Sequence, residues 1–234
     1  MLIASITKIM TAIVVIENAD LDEQIVIKPE WSAVEGSSMY ANPGQSYTVR
    51  ELLYGMMLNS GNDAAAALAC TLCGNESSFA EKMNEKAREL GLENTSFCNP
   101  HGLDNEGHYS SARDMARLTA YCMKNDTFKS IVSTNCAVIK GVTYYNHNRL
   151  LREYEGCIGV KTGYTIAAGR TLVSCAERGG MRLVCVTLNA PDDWNDHKYL
   201  LDKVFSDYRI VLYDADSFRI SLDVASAAVS IAEA

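Results

Sequence analysis

A lysine within an unusually apolar stretch near the start of the chain restricts how this protein can fold. The segment ASITKIMTA, residues 4–12, carries Ser5 and Lys8 among apolar residues, and the apolar character continues to Ile16. A helix that is apolar on most of its faces is a buried helix. Lysine is almost never fully buried unless another group pairs with it. The sequence therefore predicts a core helix that contains a paired lysine.

The spacing of Ser5 and Lys8 suggests a chemical reason for burying the lysine. Residues three positions apart on a helix share a face, with Cβ atoms about 5–6 Å apart. Burial lowers the pKa of a lysine, and a neutral amine can take the proton of a hydroxyl to create a nucleophile. The alternative for these two residues alone is a lysine that extends its amine to solvent.

Two further short motifs supply candidate substrate contacts. Ser-Gly-Asn at 60–62 lies between two helical stretches, where a loop can direct a hydroxyl and an amide into a cleft. The same residue types are also common helix N-caps. Lys-Thr-Gly at 161–163 lies in the strand-like segment CIGVKTGYT, residues 157–165, where glycine can mark the close approach of a ligand or of another backbone. A peptide bound along this strand would bring its carboxylate to the lysine and threonine, whereas the alternative is a surface lysine near a turn.

The three motifs together are far more specific than any one of them. S-x-x-K, S-x-N and K-T-G, in this order, form the signature of penicillin-binding proteins and class A β-lactamases. The chain resembles the D-alanyl-D-alanine carboxypeptidases, the low-molecular-mass penicillin-binding proteins, over roughly residues 3–207. The resemblance is carried by ASITKIMTA, LLYGMMLNSGNDAAAALA, MNEKARELGLENTSFCNPHGLDNEGHYSSARDMARL, NHNRLL and GCIGVKTGYTIAAGRTLVSCAERGGMRLVCVTLNA.

The resemblance implies how the first two motifs act. Ser5 is expected to attack the carbonyl between two D-alanines at the end of a peptidoglycan stem peptide and to form an acyl-enzyme, with Lys8 as its general base. Ser60 and Asn62 are expected to assist proton transfer and to hold the substrate. Water then releases the shortened peptide. β-Lactam antibiotics are expected to acylate Ser5 as inhibitors and to leave slowly.

The resemblance also implies how the third motif binds substrate. Lys161, Thr162 and Gly163 are expected to receive the C-terminal carboxylate, and the backbone amides of Ser5 and Tyr164 to form the oxyanion hole. Neither a metal nor another cofactor is expected.

Three alternatives remain open from the sequence. A class A β-lactamase needs a glutamate that activates the deacylating water, and the only segment with suitable residue types, Glu81–Asn84, is interpreted as helix surface. A DD-transpeptidase would differ in its acceptor. A non-catalytic fragment that binds penicillin or peptidoglycan would keep the cleft without turnover.

Helical patterns dominate the first half of the chain and strand patterns the second. The first helix is predicted at 3–17, capping boxes at Thr48–Glu51 and Ser78–Glu81, and hairpins in AVIKGVTYY and RTLVSCAERGGMRLVCVTLNA. This order predicts an α+β fold. With the resemblance, we expect a β-lactamase/transpeptidase-like fold, in which an antiparallel sheet packed with helices adjoins an all-helical lobe, without the family's N-terminal strands. The catalytic domain is predicted at 1–208, and the start of a truncated C-terminal segment or domain at 209–234.

Charge, hydropathy and cysteine spacing bear on which ligands and which cellular location are expected. The net charge of -8, without a basic run, disfavours nucleic acid. No apolar run reaches about 18 residues and no signal peptide is found, so membrane association would need segments absent from this chain. The resemblance implies an extracytoplasmic location. Cys70 and Cys73 have C-x-x-C spacing without a second such pair, so buried thiols are favoured over zinc, and disulfides remain open.

Overall fold

Short strands interrupt the helices of the first part of the chain, and three longer strands follow before a last helix. The computed structural model describes residues 1–210, so the predicted C-terminal segment at 209–234 lies outside the described residues from 211 onward. The elements are a 3-10 turn Ala4–Thr7, α1 Lys8–Asn18, β1 Gln24–Val26, α2 Pro29–Ser32, β2 Ser46–Thr48, α3 Val49–Leu58, α4 Asn62–Cys73, α5 Glu76–Glu89, α6 Ala112–Cys122, α7 Asp126–Ser133, β3 Cys136–Ile139, β4 Val142–Tyr145, α8 Leu150–Glu153, β5 Cys157–Thr165, β6 Gly169–Arg178, β7 Met181–Leu188 and α9 Asp193–Asp207.

The main sheet is antiparallel, with strand order β5-β6-β7. Successive side chains of a strand point to opposite faces of the sheet, so neighbouring residues of β6 pack into different hydrophobic clusters. Leu172 packs in a small cluster with Leu201 of α9, whereas Val173 packs in the large helical core. Helix α9 therefore covers one face of the sheet and the helical lobe covers the other. This arrangement confirms the predicted α+β fold with an antiparallel sheet and a helical lobe.

Helix α1 lies at the centre of the helical lobe. Every residue from Lys8 to Val15 is buried, and the helix contacts α3, α4, α5, α6 and α7. The alanines at 64–67 of α4 are all buried, and such small side chains allow helices to approach closely. The predicted buried helix is therefore correct, although its first turn, Ala4–Thr7, is a 3-10 turn rather than α-helix.

Side-chain caps mark the starts of α3 and α5, and one of the two predicted caps is corrected by the structure. Thr48 and Glu51 form the predicted capping box at the start of α3. The capping box predicted at Ser78 is wrong, because α5 begins earlier, with Asn75 as N-cap, and the Asn75 side chain accepts the Ser78 backbone N–H. Asparagine is as good an N-cap as serine, and it precedes Ser78 by three residues.

Two global features concern the cysteines and the membrane. All eight cysteines lie among the described residues, and none of them is paired in a disulfide. Along residues 1–210, no helix combines the length and the apolar character that crossing a membrane requires.

Candidate active site

The predicted nucleophile lies on the 3-10 turn that leads into α1. Ser5 is partly exposed on this turn, and Lys8 is the first residue of the helix. The Lys8 Nζ to Ser5 Oγ distance is 2.9 Å. Lys8 itself is completely buried, so the alternative in which its amine reaches solvent is wrong. The spacing of three residues therefore brings the amine into contact with the hydroxyl.

The partners of the Lys8 amine define the direction of its hydrogen bonds. Lys8 Nζ donates to Asn62 Oδ1 and to the His101 carbonyl oxygen, each over 2.7 Å. Both of these oxygens can only accept. A neutral amine has two N–H groups and one lone pair, so its lone pair is left facing the Ser5 hydroxyl. The geometry therefore suits a neutral lysine that accepts the proton of Ser5.

Electrostatics favour the neutral form of Lys8. Burial lowers the pKa of Lys8 well below its ordinary value, and the positive charge of Lys161 lowers it further, while Asp63 acts in the opposite direction. Removal from water disfavours the charged amine, which is the main cause.

Asn62 is held in place by a second hydrogen bond at the start of α4. Its Nδ2 donates to the Glu35 carbonyl oxygen over 2.5 Å, which directs Oδ1 toward Lys8. The N-cap of α4 is Gly61, and no side chain caps the helix. The helix-start alternative for this motif therefore holds for Gly61 but not for the Asn62 side chain, which binds Lys8 and the loop at residue 35 instead of capping the helix.

Ser60 joins α3 to α4 in an uncommon backbone conformation. Its φ is 62°, in the left-handed region, and the residue is buried. A non-glycine residue in this region costs free energy and is often found at functional sites. Ser60 Oγ accepts a hydrogen bond from Lys161 Nζ over 3.1 Å.

Lys161 extends from β5 into the interior between the sheet and the helical lobe. Its side chain is almost completely buried, and Nζ also donates to the Thr162 carbonyl oxygen over 2.9 Å. Burial lowers the pKa of Lys161 to about 7. The alternative of a surface lysine near a turn is therefore wrong.

Gly163 lies where β5 passes directly beside the nucleophile turn. A Cβ added at this position would lie 2.9 Å from Ser5 N and 3.1 Å from Ile6 N. Only glycine leaves this space free. Thr162 on the same strand is partly exposed, and Tyr164 is 65% exposed. The sheet thus brings the third motif to the edge of the Ser5 turn.

Two contacts of the site were missed by sequence reasoning. The His101 carbonyl binds Lys8, and a Cβ on the next residue, Gly102, would overlap the Ala4 carbonyl. The Asn-Pro-His-Gly turn was visible in the sequence, but nothing in it indicated which carbonyl would point inward. Asp63 was not predicted to contact other segments either, but its carboxylate accepts from Met39 N over 2.9 Å and Ala41 N over 3.0 Å.

Comparison with known proteins shows the family to which this chain is similar. Residues 1–192 match the D-alanyl-D-alanine carboxypeptidase family. D-alanyl-D-alanine carboxypeptidase DacF of Bacillus subtilis is 39% identical over 218 residues, which cover 88% of this chain and 56% of that protein. This chain therefore spans little more than half the length of that relative.

Solved structures show the same fold. A DD-transpeptidase from a Streptomyces strain superposes with a TM-score of 0.80 at 36% identity, covering 88% of this chain and 86% of the other. A D-alanyl-D-alanine carboxypeptidase from Mycobacterium tuberculosis gives a TM-score of 0.82 at 35% identity, covering 88% of this chain and 82% of the other. The transpeptidase-like fold expected from the sequence is confirmed.

Proposed function

This chain belongs to the D-alanyl-D-alanine carboxypeptidase family, and we propose that it is a serine carboxypeptidase that removes the terminal D-alanine from peptidoglycan stem peptides. The observation that carries the proposal is the buried amine of Lys8, which lies 2.9 Å from the Ser5 hydroxyl and is otherwise surrounded by acceptors. An activated hydroxyl of this kind is a nucleophile for acyl transfer.

Acylation begins when Ser5 Oγ attacks the carbonyl carbon between the two D-alanines. The hydroxyl proton passes to Lys8 Nζ as the Oγ–C bond forms. The C–N bond to the terminal D-alanine then breaks, and its nitrogen receives a proton from Lys8 through the Ser60 hydroxyl. Ser60 can relay this proton because a hydroxyl both donates and accepts.

The developing negative charge on the substrate oxygen needs hydrogen-bond donors. We assign this role to the backbone amides of Ser5 and Tyr164. The close approach of strand β5 to the Ser5 turn at Gly163 supports the assignment, since it brings the strand that carries the Tyr164 amide against Ser5 N. Removing one such donor from an enzyme typically costs about 10²–10³ in rate.

The substrate's C-terminal carboxylate would bind at the third motif. The buried side chain of Lys161 supplies the positive charge. The Thr162 hydroxyl and the strand backbone at Gly163 complete the carboxylate site. A buried lysine is a strong anchor for a carboxylate because little solvent screens the attraction. Water then hydrolyses the ester at Ser5 and regenerates the enzyme.

The family relationship supports a cell-wall substrate and hence an extracytoplasmic site of action. Transpeptidation is a second candidate, because one structural neighbour is a DD-transpeptidase. A β-lactamase is not favoured, since Glu81 lies on the exposed surface of α5, as expected from the sequence.

Intact-mass measurement after incubation with a penicillin tests the proposal. We expect one covalent adduct that is absent from Ser5→Ala, and release of D-alanine from a peptide ending in D-Ala-D-Ala. Rapid loss of the adduct with hydrolysed drug would indicate a β-lactamase. Transfer of the peptide to an added amine would indicate a transpeptidase, and no adduct would indicate a non-catalytic protein.

A further inference from the structure

The turn that carries Ser5 is held by two buried threonine hydroxyls. Thr7 Oγ1 donates to the Ala4 carbonyl oxygen over 2.8 Å, and Thr171 Oγ1 of β6 donates to the Ile3 carbonyl oxygen over 3.0 Å. Ala4 has a φ of 48°, which is uncommon for a residue with a side chain. A backbone in this conformation persists only when its surroundings hold it there.

His108 is the second hydrogen-bond partner of the Thr7 hydroxyl. Its Nε2 is 2.7 Å from Thr7 Oγ1, and its Nδ1 accepts the Cys98 backbone N–H over 3.1 Å. Thr7 has a single hydroxyl proton, which is used on Ala4, so its oxygen must accept from His108. The bonds therefore determine the tautomer, in which Nε2 carries the proton and Nδ1 does not.

The surroundings of His108 keep the imidazole neutral. The ring is almost completely buried and lies edge-on to Phe97, with centroids 5.7 Å apart. Burial, together with the neighbouring His101 and Lys8, lowers the pKa of His108 to about 4. At neutral pH the ring therefore presents one donor and one acceptor, as its two contacts require.

The orientation of the Ala4 carbonyl matters because a peptide group is planar and trans. The Ala4 carbonyl and the Ser5 N–H belong to one such group and point in opposite directions. The carbonyl oxygen faces Thr7 and the loop at Gly102, while Ser5 N faces strand β5 near Gly163. Holding the oxygen on one side therefore aims the N–H at the substrate side.

We infer that Thr7 and His108 are positioning residues that orient the Ser5 backbone N–H as an oxyanion donor. They touch neither substrate nor the reacting atoms, and act through the Ala4–Ser5 peptide group. This inference rests on the proposed function, because it assigns a purpose to the amide during acylation of Ser5. A small misplacement of a catalytic group can cost about 10²-fold in rate, even when its cause lies outside the reacting atoms.

Paired substitutions separate positioning from general stability. Thr7→Val removes the hydroxyl with little change of shape, whereas Thr7→Ser retains it. His108→Asn retains an acceptor for the Cys98 N–H but loses the donor to Thr7, whereas His108→Gln retains that donor. The matched control is Thr119→Val in α6, because Thr119 is also completely buried and donates to a backbone carbonyl, that of Met115, over 2.7 Å.

The experiment is stopped-flow acylation by a fluorescent penicillin, which separates the limiting acylation rate from the apparent dissociation constant. Urea unfolding is measured on the same samples to correct for the folded fraction. We expect Thr7→Val and His108→Asn to lower the limiting rate by about 10²-fold with little change in the dissociation constant. Thr7→Ser, His108→Gln and Thr119→Val should react at rates near that of the wild type.

Three results would overturn the inference. The first is a wild-type limiting rate in Thr7→Val and His108→Asn, and the second is a loss that matches the unfolded fraction alone. Either would leave the proposed function intact, since the wild type would still acylate. The third is a wild type that forms no adduct, which would overturn the proposed function and this inference together.

Discussion

Lys161 on strand β5 donates to the Ser60 hydroxyl over 3.1 Å, although 101 residues separate them in the chain. This contact joins the sheet to the helical lobe directly beside the predicted nucleophile. It also places a second buried amine close enough to Lys8 to lower the pKa of Lys8. The sheet therefore contributes to the lowered pKa of the amine that contacts the Ser5 hydroxyl.

Replacing the proposed base should abolish acylation with little change in fold. General base catalysis contributes about 10²–10⁴ in rate, so Lys8→Ala should lower the acylation rate by at least that range. Stopped-flow kinetics with a fluorescent penicillin measures the rate, and circular dichroism measures the fold. Lys124→Ala, at an exposed lysine, is the control and should react normally. Near-normal acylation of Lys8→Ala would exclude Lys8 as the base.

Adding one methyl group at Gly163 should block the reaction. The new Cβ would lie 2.9 Å from Ser5 N and 2.5 Å from Thr171 Oγ1, so the strand or the nucleophile turn must move. We expect Gly163→Ala to lower acylation by about 10²–10³, the effect of losing one oxyanion donor. The rate should be compared with that of the wild type in parallel with thermal unfolding. Unchanged acylation in a folded Gly163→Ala would contradict the proposed oxyanion hole.

The pH dependence should have two opposing parts. The chemical step should become faster as pH rises, because Lys8 must be neutral to accept the proton. Substrate affinity should become weaker as pH rises past about 7, where Lys161 loses its charge. Measuring kcat and KM separately across this range resolves the two effects. A peptide ending in D-alaninamide has no carboxylate and should show no rise in KM, whereas an equal rise for both peptides would exclude Lys161 as the anchor.

Removing the buried charge of Lys161 should stabilise the protein at low pH. Burial lowers the pKa of Lys161 from 10.5 to about 7. At pH values between these two pKa values, Lys161 is protonated in the unfolded chain but mostly neutral in the folded one. The folded state is therefore most destabilised below pH 7, and the destabilisation disappears as pH rises toward 10.5. Lys161→Met should raise the free energy of unfolding by about 1–4 kcal/mol at pH values below 7.

Urea unfolding of Lys161→Met and wild type at several pH values checks this trend. The difference between the two proteins should shrink steadily as pH rises. A difference that stays constant or grows with pH would show that burial of the charge is not its origin. Surface substitutions usually change stability by less than about 0.5 kcal/mol, so Lys124→Ala again serves as the control.

Long elements with strong local signals were predictable from the sequence. Strand β5 was predicted at its observed position, and the Thr48 capping box correctly marked the start of α3. The hairpin in AVIKGVTYY was also predicted, because a Lys-Gly turn separates its two four-residue strands. Other short elements were not predicted: β1 and β2 are three-residue strands that pair with each other, and α7 is an eight-residue helix after the Asn125 N-cap. Pairing and packing, rather than local propensity, decide such short segments.

The site was predictable only where its chemistry resides in side chains. Ser5, Lys8, Asn62 and Lys161 were proposed as site residues from residue type and spacing. The carbonyl of His101, by contrast, is chemically the same as that of any other residue, so no pattern could indicate it. His108 was not assigned to the site either, because its link to Ser5 passes through Thr7 and a backbone oxygen.

The sequence by itself determined that a serine and a lysine lie one helical turn apart and close enough to touch, because that relationship depends only on a spacing of three residues in a turn or helix. Only the tertiary structure decided that Asn62 contacts Lys8, that Lys161 contacts Ser60, and that strand β5 passes against the Ser5 turn at Gly163. The physical reason is that a helix brings nearby residues together through its own geometry. Residues far apart in the chain meet only when the packing of the sheet against the helical lobe brings them together.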